Sequence, residues 1–378
     1  MGKCIVSMSI FCTAPFVGIV VDPMLNIQMC CSDSSRHFKT NLRDIDSLRD
    51  FFYNSSQYQK LRDDVGKYSL SKYKPCSDCS IIEQGFRAEI NNFNKFFPNP
   101  HPIKLRYLEV TTSNVCTQTC VMCSPPYSTS LIKIHKWGNA MSMNDNDLKK
   151  VYEVLPDIEV LSVKGGEPFA DQKNLKILEE LYRVNPDIGN IIIVSNGSHI
   201  SDSFQQMLLK FKNITLSISM DGVDKVYEWV RGSSYRKTVD SLNSFYDNTG
   251  ITYTIQNAVT VYTLPTLATD CQQYYKDFKG LRYVESSNIV NSPAFLSPAM
   301  YDNNALFLMT GRVSISNAVR LCKHGIQGIL NISNHSPDKL QKYYSEFKMH
   351  TNFYNKIRGF NILDHVPEAK ELYESLNG

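Results

Sequence analysis

The 378-residue chain has no apolar run of about 18 residues, so no membrane-spanning helix is expected. Nor does it carry an excess of one charge. Forty Lys and Arg against 37 Asp and Glu leave a net charge of +3, which removes the cheapest electrostatic reason to expect nucleic acid as a partner. Internal repeats and low-complexity segments are missing, and 42% hydrophobic residues exclude a disordered chain. An even number of cysteines is missing too. Eleven cannot all pair, and their C-x3-C-x2-C and C-x2-C spacings suit metal rather than bridges, so a small disulfide scaffold is excluded.

Metal ligation needs thiolates and therefore a reducing compartment. The stretch Met1–Val21 is apolar enough to raise a secretory signal, but its basic region is only Lys3, Pro15 interrupts it, and no small-residue cleavage site follows. N-myristoylation at Gly2 fails because Val6 stands where Ser or Thr is needed. The expectation is a buried N-terminal strand and a cytoplasmic protein.

At about 150 residues per domain, the length implies two or three domains. Residues 1–100 read as a loop-rich, cysteine-bearing module with a strand pair around Phe16–Val21 and Asn26–Met29, turned at Asp22-Pro23. A helical stretch follows, carrying Leu48, Phe51, Phe52 and Leu61. Asn99, Pro100 and Pro102 mark a boundary. Beyond it, apolar β-rich runs recur at Leu105–Val110, Ile158–Val163, Asn190–Val194, Ile214–Ser219, Ile251–Val261 and Leu281–Val284. Helical patterns alternate with them, such as Leu175, Leu178, Leu181 and Tyr182, or Val239, Leu242, Phe245 and Tyr246. Strand–helix alternation means parallel βαβ units with right-handed crossovers. Six units over 101–286 fall short of the roughly 250 residues of a closed barrel, so the fold class is α/β, an open partial (βα)6 TIM-like barrel. Residues 287–378 form a C-terminal α/β extension ending in a helix with Ala369, Leu372, Tyr373 and Leu376 on one face.

Cys116, Cys120 and Cys123 follow the first barrel strand directly, where such barrels place active-site loops. Three close thiolates suit a polynuclear iron–sulfur cluster, and three ligands leave one iron of a four-iron cube open, as three-ligand zinc sites keep an open position. A zinc site or three unrelated buried cysteines is the competing reading. C-x3-C-x2-C in this place resembles the signature of the radical S-adenosylmethionine (radical SAM) superfamily. The resemblance implies a [4Fe–4S] cluster whose open iron chelates the amino and carboxylate groups of SAM. It further implies reductive cleavage to methionine and a 5′-deoxyadenosyl radical that abstracts hydrogen from the substrate.

Later strand ends extend the resemblance. Gly165-Gly166-Glu167-Pro168 ends the second strand and is similar to the family's GGEP element, implying that Glu167 meets the SAM amino group. Ser195-Asn196-Gly197 and Ser217-Ile218-Ser219-Met220-Asp221-Gly222 end the third and fourth strands. They resemble the family's ribose and carboxylate contacts, with Ser219 and Asp221 favoured. Arg231 matches an arginine that follows strand four and pairs with the SAM carboxylate; a solvated arginine is its bland alternative. Asn257 interrupts the apolar fifth strand and is expected near the adenosyl group or as a hydrogen-bonded core asparagine. Met122 occupies a position where the family often has an aromatic that packs on adenine, a contact that apolar, polarizable methionine can fill. Four elements in order on one barrel face exceed what a chance cysteine triplet would arrange.

The N-terminal cysteines resemble the SPASM/twitch auxiliary-cluster modules of the same superfamily, along nearly the whole chain. Asn41-Leu42, Ser47-Leu48 with Asn54-Ser55, and Phe360–Glu368 add to the match. The resemblance implies Cys12, Cys30, Cys76 and Cys79 as ligands of a second [4Fe–4S] cluster, with Cys31 as the alternative to Cys30 and zinc as the alternative metal. Leu25 stands where the family turns on glycine, so the strand connection there is expected to differ. Cys4, Cys271 and Cys322 read as buried small hydrophobes. His135 and Lys164 lie near the motifs and read as surface residues.

The expected function is therefore a radical SAM enzyme acting on a peptide or protein side chain. It would be served by an electron donor such as a flavodoxin or ferredoxin, with no membrane or nucleic-acid partner. A nucleotide or small-molecule substrate, or a non-catalytic Fe–S or zinc protein, are the alternatives.

Overall fold

Short β-branched runs alternate with amphipathic helices, and the computed structural model shows what they build. It describes residues 12–30, 38–67, 93, 96–99, 101–290, 292–315, 319–320 and 337–375. The strands β1 (Gly18–Val21), β2 (Ile27–Gln28), β3 (Tyr107–Val110), β4 (Val160–Val163), β5 (Asn190–Ser195), β6 (Ile214–Ser219), β7 (Tyr253–Val259), β8 (Leu281–Ile289) and β9 (Val319–Arg320) form one sheet. Its order is β2-β1-β3-β4-β5-β6-β7-β8-β9. Every neighbouring pair is parallel except β1 with β2. The six strands expected from the sequence are β3 to β8, an α/β arrangement consistent with a partial barrel.

Two features go beyond that expectation. The N-terminal strand pair does form, but β1 then runs parallel to β3, placing Val20 beside Glu109 and Val21 beside Val110. A segment read as lying outside the barrel thus extends its sheet. At the other side β8 continues past residue 286 to Ile289, and β9 pairs with it through Val284 and Glu285.

Alternation along the strands separates two faces. Leu108, Leu161, Ile191, Ile193, Leu216, Ile218, Ile255 and Val284 are buried in the core. Intervening residues in matching register, Glu109 beside Ser162, Ser217 beside Thr254, and Ser219 beside Gln256, give the opposite face polar character. There the Glu109 carboxylate accepts from Lys164 Nζ at 2.7 Å and Tyr107 Oη at 2.8 Å, so Lys164 is tied to the sheet rather than left on the surface.

Helix boundaries follow local chemistry. Asp171 accepts from Lys173 N at the start of Gln172–Val184, and Ser234 caps Tyr235–Thr249 through Lys237 N. Gly232, at φ 67°, closes Asp224–Arg231. Leu25, at φ 63°, adopts the left-handed backbone that glycine favours. The strain is offset by complete burial of the leucine and by Asp22 Oδ1, which accepts from Met24 N and Asn26 N.

The long C-terminal helix Pro337–Arg358 lays Phe347, Thr351 and Tyr354 against Trp229 and Tyr262. The Trp229 indole N–H donates to Asn355 Oδ1 at 2.8 Å. Among the described residues no helix is long and apolar enough to cross a membrane.

Burial pushes the Asp270 carboxyl, in the first turn of Leu267–Asp277, from 3.8 up to about 7, opposed by the hydrogen bond from Thr266 Oγ1. Between those values the folded chain keeps a proton that the unfolded chain has released, so its contribution to stability falls as pH rises through this window. Asp270→Asn keeps the acceptor and removes the ionisation. The gain in melting temperature over wild type should therefore be larger at pH 8 than at pH 4, measured by circular dichroism.

Candidate active site

The loop leaving β3 carries the cysteine triplet and is fastened at nearly every turn. Asn114 Nδ2 donates to the carbonyls of Pro126 at 3.1 Å and Asn139 at 2.9 Å. Ser128 Oγ reaches Gln118 O at 3.1 Å, and Ser130 Oγ reaches Cys116 O at 2.6 Å. Thr119 N and Val121 N donate to Arg231 O and Val230 O, at 3.1 and 2.9 Å. The loop is thus stitched along the C-terminal end of the helix Asp224–Arg231.

Cys120 is buried, and Cys116 and Cys123 are half-buried. Desolvation, followed by the charge of Cys120, pushes the Cys116 thiol up to about 11. Desolvation, then Cys120 and Cys116, push Cys123 up to about 12. The mutual repulsion shows that the three sulfurs share one electrostatic neighbourhood. Such thiols ionise when a cation takes the proton's place, so the donor set fits a metal centre. Among the described residues no three His, Cys, Asp or Glu side chains are grouped tightly enough for a single metal ion. In a polynuclear cluster each thiolate takes its own iron, and that is the kind of centre these three fit. Arg231 Nη1 donates to Cys120 Sγ at 3.5 Å and supplies a counter-charge.

The glycine pair after β4 lies where neighbouring chain comes too close for a side chain. A Cβ at Gly165 would lie 1.9 Å from Thr111 Cγ2, and one at Gly166 would lie 2.2 Å from Val115 O. The missing side chains admit the cysteine loop itself, and Glu167 N donates to Val115 O at 2.6 Å. Pro168 is buried and opens a short turn. Glu167 is buried, with Oε1 accepting from Ser195 Oγ at 2.7 Å and Phe169 N at 3.1 Å, and Oε2 from Asn196 N at 2.7 Å. Burial raises its pKa against these three donors. Oε2 receives one donor against the two of Oε1, which leaves it acceptor capacity. Ser195 therefore meets Glu167, while Asn196 Nδ2 points to Thr117 Oγ1 at 3.5 Å. Ser219 is half-buried on the polar face of the sheet, and Met122 packs half-buried against the core.

Three of the residues expected near a ligand have protein partners in this structure. Asp221 is fully buried, with Oδ1 accepting from Ala258 N and Oδ2 paired with Arg231 Nε at 2.5 Å. Arg231 thus serves Asp221 and Cys120, because a buried carboxylate needs its counter-ion. Burial alone would lower the Arg231 pKa, but Asp221 and Cys120 hold it above the ordinary value. Asn257 turns its amide to Met220 O and, at 3.4 Å, to Tyr274 Oη of the helix Leu267–Asp277, which makes it a hydrogen-bonded core asparagine that fixes the residue before Asp221.

The sequence reading missed the brace on this loop. Arg358 Nε donates to Trp229 O at 2.8 Å, while Nη1 and Nη2 donate to Thr119 Oγ1 at 2.8 Å and Thr119 O at 2.7 Å. His350 Nε2 meets Val121 O at 3.1 Å, and burial lowers its pKa to about 4, so the ring is neutral. Both residues sit more than two hundred positions from the loop, and no local motif marks them. Gly232 allows the approach, since a Cβ there would stand 2.2 Å from Thr119 Oγ1 and 2.7 Å from Arg358 Nη2. His135 contacts the same helix through Tyr354 Oη at 3.2 Å.

Of the N-terminal cysteines, Cys12 is half-buried and Cys30 buried against the core. Cys76, Cys79 and the alternative Cys31 lie outside the described residues, as do Cys4 and Cys322. Cys271 is fully buried, as expected of a small hydrophobe.

A thiol loop at the end of a strand in a parallel sheet, with polar groups at the strand ends beside it, is an α/β partial-barrel arrangement carrying a candidate metal site. More particularly, residues 110–265, less than half of the chain, match the family described as the Radical SAM superfamily, which supports that superfamily and marks the protein as an enzyme. No curated protein matches the chain. Among solved structures it is similar to native anSMEcpe with bound AdoMet and Cp18Cys peptide, at 22% identity and TM-score 0.37, over 48% of this chain and 51% of that one. It is also similar to Streptococcus suis SuiB bound to S-adenosylmethionine, at 17% identity and TM-score 0.41, over 70% of this chain and 55% of that one. SuiB bound to its precursor peptide SuiA matches at 17% identity and TM-score 0.39, over 77% of this chain and 61% of that one. The chain thus spans between about half and three-fifths of these proteins.

Arg358→Ala should reduce unfolding free energy by about 2–3 kcal/mol, since it removes charged hydrogen bonds to two carbonyls and a hydroxyl. Arg358→Lys should fall between this variant and wild type. Urea denaturation of the purified proteins checks both.

Proposed function

We propose that the chain is a radical SAM enzyme with a peptide or protein substrate. The observation that carries this reading is the triad Cys116, Cys120 and Cys123, mutually coupled, backed by Arg231, and held within the segment that matches the superfamily. The three thiolates would hold a [4Fe–4S] cluster with one iron left for SAM, and the bound pair would supply a 5′-deoxyadenosyl radical for hydrogen abstraction.

The chain's own residues prepare this site. Ser128, Ser130, Thr119 and Val121 hold the loop backbone, and the Asp221–Arg231 pair keeps a permanent positive charge beside Cys120. Glu167, with acceptor capacity at Oε2, would take the SAM ammonium group. Ser219, Ser195, Asn196, Met122 and the Gly165–Pro168 backbone would line the remainder of the site. Asp221, Arg231 and Asn257 serve it as scaffold.

A second centre held by Cys12, Cys30 or Cys31, Cys76 and Cys79 belongs to the same proposal, as does the partition into 1–100, 101–286 and 287–378. Cys30 belongs to the hydrophobic core and Cys12 packs against it, and the N-terminal strand pair joins the barrel sheet, which supports reading this candidate centre as part of the same folded body. A reducing, cytoplasmic setting and a one-electron donor complete the reading. Peptides bound in structures of anSMEcpe and SuiB favour the peptide class of substrate.

Anaerobic reconstitution should load about 8 irons per chain, falling to about 4 when Cys116, Cys120 and Cys123 are changed to Ala. Wild type with SAM and dithionite should release 5′-deoxyadenosine, and the triple variant none. Four irons with retained zinc in the wild type would sink the second cluster, and absence of 5′-deoxyadenosine would sink the enzyme assignment.

A further inference from the structure

The charged side chains around the cysteine triad are not shared evenly by its three sulfurs. Arg231 Nη1 donates to Cys120 Sγ at 3.5 Å. A second cation, Arg358, holds the preceding residue through Thr119 Oγ1 and Thr119 O. One acid opposes them. Asp221, fully buried, pairs with Arg231 Nε at 2.5 Å, so the guanidinium is the group that meets the sulfur. Cys120 is buried, Arg231 is 11% exposed and Arg358 is half-buried, so salt and water screen these charges weakly.

The electrostatics follow this layout. Burial raises the Cys120 thiol, Arg231 opposes the rise, Asp221 adds to it, and Arg358 opposes it again. At Cys116 the charged neighbours are Cys120 and Glu167, both of which disfavour a negative charge. At Cys123 Arg231 acts only after the two other sulfurs. Positive charge is therefore concentrated at Cys120. A [4Fe–4S] centre gains one negative charge when it is reduced, and the charges and hydrogen bonds at its sulfurs set how readily it does so. A cation touching a ligating sulfur favours the reduced state, and a nearby buried acid disfavours it.

We propose that Arg231, balanced by Asp221 and assisted by Arg358, sets the reduction potential of the cluster held by the triad, acting through Cys120. The proposal rests on the radical SAM reading. The step it governs is transfer of one electron from a low-potential reductant, taking the cluster from the 2+ to the 1+ state with no bond made or broken. Arg231 thus has two tasks. As counter-ion to Asp221 it serves folding, and as the charge on Cys120 it is a positioning residue for the electron.

The test uses the full chain, reconstituted anaerobically without SAM. It is titrated with titanium(III) citrate, which passes to titanium(IV), while electron paramagnetic resonance follows the reduced cluster. The signal missing from the Cys116→Ala/Cys120→Ala/Cys123→Ala variant is the one read. Arg231→Gln should make reduction at least about tenfold less favourable, which for one electron is about 59 mV. Arg231→Lys keeps the charge without the fork and should fall between Arg231→Gln and wild type. Arg358→Gln should shift the potential the same way by a smaller factor. Asp221→Asn keeps the shape and removes the opposing charge, so it should shift the potential in the other direction. These shifts should persist at about 0.5 M salt.

General loosening of the loop would move Arg231→Gln and Asp221→Asn in the same direction, and that result overturns the proposal. Unchanged potentials in both overturn it too. Should Arg231→Gln fail to load iron, a fall in Arg358→Gln with a rise in Asp221→Asn supports the proposal, and any other pair of results overturns it. Absence from wild type of any reducible signal beyond that of the triple variant defeats the radical SAM reading itself. A reducible cluster with unmoved potentials defeats only the role of Arg231.

Discussion

A fully buried carboxylate next to a largely buried guanidinium sets the terms for everything around it. Asp221 is removed from water and Arg231 is 11% exposed, and the carboxylate is not stable there without its counter-ion. Their pairing joins the end of β6 to the end of the helix that follows, while Asp221 also grips β7 through Ala258 N. From this fixed point the Arg231 side chain reaches Cys120, and its carbonyl takes Thr119 N. The thiol loop therefore inherits its position from an ion pair that it does not itself contain.

Around that pair the structure adds ties of different chemical kinds. Glycines at 165, 166 and 232 are used where the loop backbone passes too close for a Cβ. Buried acceptors, including Glu167 and the carbonyls of Val230, Arg231 and Trp229, collect donors from different elements. Each unmet group would carry a desolvation cost, so moving the loop would break several bonds together. Rigidity of this sort would hold the three thiols together against their mutual repulsion once ionised.

What the sequence made legible was local. Period-two runs located β3 to β8, and the triplet spacing singled out Cys116, Cys120 and Cys123, because both signals lie within a few neighbouring residues. Asp221 and Arg231 were picked out for roles toward a ligand, and Asn257 for either such a role or a place in the core. Whether a side chain at a strand end faces a cofactor or a neighbouring strand depends on partners such as Ala258 and Met220, which residue type cannot reveal. Arg358 and His350 escaped altogether, since their contacts span more than two hundred residues and leave no periodic trace. At Leu25 burial and the hydrogen bonds of Asp22 hold a leucine in the conformation glycine favours, which residue type does not announce.

The placement of the shortest strands bears on how the molecule meets its neighbours. Among the described residues the sheet is open and nine strands wide, and it ends on β2 at one side and β9 at the other, each two residues long. The long central strands, rich in valine and isoleucine, have both backbone edges paired internally. Two-residue borders leave little ladder on which another chain could align. An open barrel thereby gains much of the protection against edge-to-edge aggregation that closure gives to a complete one.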